Sequence, residues 1–165
     1  MAYWLFKTEP DAFSIADLKN APQQTTQWEG VRNYQARNFM RDKVKVGDQV
    51  MIYHSSCKHI GVAGLATVTR EAYPDPTQFD LSSDYFDAKA TVDSPRWVVV
   101  DVTYQQHLNK LVSLKAIKEN DAITDIALKK GGRLSIMPVT KNDWDEITRM
   151  GQAVSDKLQI KTERP

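Results

Sequence analysis

The sequence predicts an α+β fold, a small mixed and mainly antiparallel β-barrel or curled sheet surrounded by short helices. Three features point to it. Five or six strand-like runs are spread along the chain, with AYWLFK, QVMIYH and RWVVVDVTY the clearest. The helical stretches between them are short, and Gly, Pro and Asn signals punctuate the joins. With 165 residues, 41% hydrophobic and 26% charged, the chain is long enough to bury one core of its own.

In chain order, Ala2 to Lys7 reads as an apolar strand, ended by Glu9-Pro10 because proline removes a ladder donor and biases its predecessor to extended geometry. Ser14 caps a short helix with Asp17 three residues on as capping-box partner, and Ile15 and Leu18 form its apolar side. Thr25 to Trp28 is a brief strand or extended turn, and Asn33 to Arg41 holds a turn or two of helix. Lys45-Val46-Gly47-Asp48 is a turn before the strand Gln49 to His54, and Ser55-Ser56-Cys57-Lys58 is the loop to a strand over Ile60 to Glu71. Tyr73 to Pro95, rich in Pro, Asp, Ser and Thr, is a long ordered loop of the kind that usually carries function. Arg96 to Tyr104 is the strongest strand, its valine run suited to burial on both faces. Ser113 caps a helix to about Asn120, and a second short helix over Thr124 to Leu128 stops at Gly131-Gly132. Arg133 to Pro138 is a strand, and Thr140 to Met150 is a helix with Trp144, Ile147 and Met150 on one stripe. The domain therefore spans 1–151, and the tail over 152–165 is expected to fray.

Charge and cysteine content narrow the function. A net charge of +1 and a pI near 7.8 argue against coating nucleic acid by bulk electrostatics, so any polynucleotide contact needs a local patch. The single cysteine, Cys57, gives no internal disulfide, and Cys57-Lys58-His59 falls short of a zinc set. No run approaches the roughly 20 apolar residues of a membrane span. The chain is expected to be cytoplasmic in a bacterium or nuclear and cytosolic elsewhere, monomeric by default, without cofactor or metal. A hydrolase set of His54, Ser55 and an aspartate has no GxSxG elbow around it.

The stretch Trp28 to Phe39, WEGVRNYQARNF, is where chemistry concentrates. It combines the rings of Trp28 and Tyr34, the amides of Asn33 and Asn38, and the guanidinium groups of Arg32 and Arg37. A nucleobase out of its stack presents two π-faces and a hydrogen-bonding edge, so rings beside amides and cations suit it. Trp28 reads as a pocket wall or as a half-buried anchor of its loop, while Trp4, Trp97 and Trp144 read as core. Tyr85 either supplies a second wall or pins the long loop. Arg32, Arg37, Arg41, Lys43 and Lys45 form the basic cluster, suited to phosphates or to ion pairs with Glu29 and Asp42. Asn33 pairs with a base edge or caps the helix that follows it.

MAYWLFKTEP, WEGVRNYQARNF, VGDQVMIYHSSC with IGVAGLATV, EAYPDPTQFD, PRWVVVDV and RLSIMPVT, in this order over about Ala2 to Met150, together resemble the EVE domain family. That resemblance implies a PUA-like fold, related to the YTH domain and more loosely to the ASCH and PUA groups. It also implies reading of a modified base, chiefly a modified cytosine in DNA, in an aromatic-lined pocket. On the same footing Lys7-Thr8-Glu9 at the end of the first strand and His54-Ser55 after the third apolar run correspond to rim positions that meet the base, although His54 also reads as a satisfied strand-end histidine. The expected function is thus a non-catalytic reader of a modified base. A general RNA-binding module without modification dependence is the alternative.

Overall fold

The computed structural model describes residues 1–163, with side chains through Gln152. Six strands, β1 (Tyr3–Thr8), β2 (Thr25–Gln27), β3 (Gln49–His54), β4 (Gly61–Pro74), β5 (Val98–Ser113) and β6 (Ile136–Val139), form one mixed sheet in the order β2-β5-β4-β3-β1-β6. Four α-helices accompany it: α1 (Ile15–Asn20), α2 (Tyr34–Asp42), α3 (Leu114–Glu119) and α4 (Lys141–Glu163). This is the α+β, mainly antiparallel architecture expected, with β2 and β6 as edges that do not pair, so the barrel-like sheet stays open along one seam. β1 and β3 are the parallel pair, in register from Tyr3 opposite Gln49 to Thr8 opposite His54. A parallel pair needs a crossover, and α1, β2 and α2 provide it.

The central strands β1 and β3 are buried on both faces, which explains their nearly continuous apolar runs. Along β1, Trp4 and Phe6 enter one core while Leu5 enters the other; along β3, Val50 and Ile52 alternate likewise with Met51 and Tyr53. The first core is covered by Ile15 and Leu18 of α1 and by Ala36 and Met40 of α2. The second is covered by Ile117 of α3 and by Trp144 and Ile147 of α4. The capping box of Ser14 and Asp17 starts α1, Asn33 caps α2, and Ser113 caps α3.

Five boundaries differ from the sequence expectation. β4 and β5 run on to Pro74 and Ser113 as a long antiparallel ribbon whose register shifts repeatedly. Each bulge breaks the two-residue alternation, and the exposed QQH and NK positions hide the strand. The helix expected over Thr124 to Leu128 starts later, as a 3-10 turn over Ala127–Lys130. The fully buried carboxylate of Asp143 accepts hydrogen bonds from the amides of Thr124, Asp125 and Ile126 at 3.1, 2.9 and 2.9 Å, which holds that segment extended. β6 begins at Ile136 instead of Arg133; of the residues before it, Arg133 and Ser135 line a cavity and Leu134 packs against the core. Helix α4 extends past Met150 to Glu163, and the fraying expected of the tail falls, beyond Gln152, outside the residues with described side chains.

Candidate nucleic-acid interface

The parallel strands β1 and β3 end side by side, and a cavity of about 780 Å³ opens just beyond them. Lys7, Thr8 and Glu9 line it from the end of β1, and Ser55 and Ser56 from the end of β3. Ala12 and Phe13, ahead of α1, form another side, and the run from Thr26 to Arg32 forms the floor and far wall. Tyr85 of the long loop and Gly132, Arg133 and Ser135 before β6 complete it.

The local chain geometry around the cavity is fixed by hydrogen bonds. Ser55 donates its amide to the carbonyl of Thr8 at 2.9 Å, and Lys7 donates its amide to the carbonyl of Ser135 at 2.8 Å. The Thr8 hydroxyl donates to the carbonyl of Phe13 at 2.7 Å. Trp28 is only 6% exposed. Its ring packs 5.5 Å from that of Phe6 and edge-on to Phe13 at 6.3 Å. Trp28 also lines the cavity, so it is a core residue that borders the pocket. Its polar neighbours conceal that burial in the sequence.

Tyr85 is held over Gly30. Gly30 has φ +82°, and a Cβ there would lie 2.5 Å from the Tyr85 ring, so both the backbone conformation and the close approach require glycine. Below it, the fully buried Asp75 accepts from the Gly30 amide at 2.9 Å and forms an ion pair with Arg32 at 3.0 Å. Arg32 also donates to the Tyr85 carbonyl at 2.8 Å and to the Thr77 hydroxyl at 3.1 Å. Its guanidinium thus ties the floor of the cavity to the long loop. Glu29 lines the cavity beside this pair, and its carboxyl is pushed up by desolvation and by Asp75, with Arg32 opposing. Burial lowers the Lys7 ammonium, which lies 5.7 Å from the centre of the Tyr53 ring.

Of the expected base-contacting residues, Lys7, Thr8, Glu9, Trp28, Ser55 and Tyr85 meet around the cavity; Asn33, Tyr34 and His54 do not line it. Asn33 spends its side-chain oxygen on the Ala36 amide as the α2 cap. Tyr34 is 51% exposed and stacks on Trp97 at 4.8 Å, outside the cavity. His54 accepts the Ile15 amide through Nε2 at 3.1 Å and so anchors α1. The expected phosphate set is also dispersed. Arg32 is engaged by Asp75, and Arg37 donates to the Arg96 carbonyl and to Asn38. Arg41 pairs with Asp42 at 2.8 Å, Lys45 lies 3.6 Å from Glu71, and Lys43 is exposed at the end of α2. Glu29, read from the sequence as an ion-pair partner, lines the cavity, as do Phe13, Gly132, Arg133 and Ser135, to which the sequence assigns no binding role. The usable signal was an arginine directly after a glycine pair, Gly131-Gly132-Arg133, which reads as a helix stop until the cavity beside it is known.

Among the described residues, no group of three or more His, Cys, Asp or Glu side chains could hold a metal ion, and no helix is long and apolar enough to cross a membrane. Compared with known proteins, the chain matches the model of the EVE domain over residues 2–150. Thymocyte nuclear protein 1 of Homo sapiens is 39% identical over 161 residues, covering 87% of this chain and 71% of the human protein. Among solved structures, a Pseudomonas putida protein is 47% identical with a TM-score of 0.86, covering 91% of this chain and 99% of that one. The crystal structure of human THYN1 protein in complex with 5-methylcytosine-containing DNA is 37% identical with a TM-score of 0.88, covering 92% of this chain and 98% of that one.

Proposed function

The chain belongs to the EVE domain family, and from that membership we propose that it is a non-catalytic DNA-binding domain that reads a modified cytosine extruded into the cavity beyond β1 and β3. The observation that carries the reading is the composition of that cavity, a ring-walled space with an ionisable, hydrogen-bonding rim. The similarity to human THYN1, whose crystal structure is with 5-methylcytosine-containing DNA, supports DNA and that base as the ligand class.

The proposed roles follow from chemistry. Tyr85 on one side and the edges of Trp28 and Phe13 on the other give a flat base its apolar contacts. Cytosine offers an N4 amino donor and acceptors at N3 and O2. A carboxylate accepting from N4, from Glu9 or Glu29, favours cytosine over thymine, while the Lys7 ammonium donates to the acceptors. A 5-methyl group packed on an apolar wall adds about 0.8 kcal/mol, the scale of one buried CH₂. Extrusion costs a few kcal/mol of unstacking, so the pocket must recover that from stacking and edge contacts together.

The test is fluorescence anisotropy with matched duplexes carrying cytosine, 5-methylcytosine or 5-hydroxymethylcytosine at one central position, with RNA of the same sequence alongside. Tyr85→Ala and Glu9→Gln are compared with the wild type. The expected result is a preference for one modified base that survives raised salt and shrinks in both variants. Equal affinity for every ligand, lost steeply with salt, would replace this reading with that of a general nucleic-acid module.

A further inference from the structure

We infer that the loop joining the Ala127–Lys130 turn to β6, with the sequence Lys130-Gly131-Gly132-Arg133, is the phosphate-binding arm of this interface, acting on the backbone next to the extruded base. The inference rests on the proposed reading of the cavity and assigns its electrostatic half.

The first support is an accounting of cations. The arginine-rich stretch that the sequence marks out is engaged within the fold, by Asp75 at Arg32, by Asp42 at Arg41, and by a carbonyl and an amide at Arg37. Two cationic side chains line the cavity without a carboxylate within 4.0 Å among the described residues, Lys7 and Arg133, and Lys130 is similarly unpaired and exposed on the same loop. A guanidinium with no internal partner has its donor fork available for a phosphate. Lys129 differs from its neighbour, because its ammonium donates to the carbonyls of Asn120 and Ile123 at 2.9 and 2.7 Å and so braces the loop from inside.

The second support is the backbone. Gly131 and Gly132 have φ of +78° and +103°, and a Cβ at either would meet nothing within 4 Å. Packing therefore does not demand glycine there; the positive φ does, and the bare backbone leaves the loop open to close approach by a ligand. Among the described residues, the amides of Gly132 and Arg133 donate to no protein acceptor. Consecutive amides without a protein acceptor, beside a guanidinium that is unpaired among the described residues, are donors available to an anionic oxygen. Gly132 and Arg133 also line the cavity itself, which puts such an anion within reach of a base occupying it. Phosphate contacts of this kind fix register without reading sequence.

The experiment measures duplex binding against salt for the wild type, Lys130→Gln/Arg133→Gln and, as a control, Arg41→Ala, each with plain and 5-methylcytosine DNA. The expected result is that the double variant binds both duplexes more weakly by the same factor, keeps the preference for the modified base, and lowers the slope of log K against log salt by about one per side chain removed. Arg41→Ala is expected to leave both unchanged. A double variant with wild-type affinity and slope would overturn the inference while the reader assignment stands. Loss of modified-base preference with an unchanged salt slope would also overturn it, by making Arg133 a base-edge contact. A wild type that binds neither duplex would remove the reading and this inference together.

Discussion

The indole of Trp28 is shared between the core and the cavity, and this changes what its removal tests. It packs on Phe6 and Phe13, so Trp28→Ala is expected to cost about 3–5 kcal/mol of stability, the scale for a large buried aromatic. Tyr85, 38% exposed and seated over Gly30, is the ring whose loss reports on binding. Tyr85→Ala is expected to weaken DNA binding by about 1–3 kcal/mol, the scale of one stacked base, with little change in the unfolding midpoint. Chemical denaturation and titration of the two variants in parallel check both halves; a Trp28→Ala protein as stable as the wild type would show the indole to be a wall only. Tyr34, Asn33 and His54 illustrate the limit at this scale. Their side-chain types suit a base, yet each is committed to a neighbour elsewhere, to the Trp97 ring, the Ala36 amide and the Ile15 amide.

The helix caps were legible in the sequence because capping is local: Ser14 with Asp17, Asn33 and Ser113 each bond an amide about three residues on. The segment before β6 was not, since its conformation is set from α4. Asp143 accepts three amides from Thr124, Asp125 and Ile126, and that contact decides where the Ala127–Lys130 turn begins and hence where the Gly131-Gly132-Arg133 loop projects. Asp143→Ala leaves those donors without their acceptor. The expected destabilisation exceeds the roughly 1–3 kcal/mol of one unsatisfied buried group, measured by urea unfolding. A loss below about 1 kcal/mol would mean that water or a shifted loop replaces the carboxylate. The long β4–β5 ribbon belongs to the same class: its bulges are answers to a partner strand, and no local periodicity encodes them.

At the scale of the whole molecule, stability is expected to fall on mild acidification. His54 has its pKa lowered below the ordinary 6.5, chiefly by burial and then by His107, with Asp17 opposing. His107 is lowered too, by burial and by Lys19. Groups depressed in the folded state favour unfolding once the unfolded chain takes up the proton, so their contribution is complete above pH 6.5 and declines as pH falls from there to the folded values. Protonated His54 also loses the lone pair that accepts the Ile15 amide. The melting temperature should therefore drop between about pH 7 and 5, and His54→Gln, which keeps an acceptor without the titration, should flatten that drop. An unchanged pH profile in the variant would assign the effect elsewhere. The sequence by itself determined the α+β class, the strand runs, the caps and the resemblance to one family, because apolar patterning and capping act over a few residues. Only the tertiary structure decided which polar and aromatic groups are free. A ring or guanidinium available to a ligand is one that no distant part of the chain has already engaged, and Asp75 with Arg32, Trp97 with Tyr34, and Arg133 without an ion-pair partner among the described residues are such long-range outcomes.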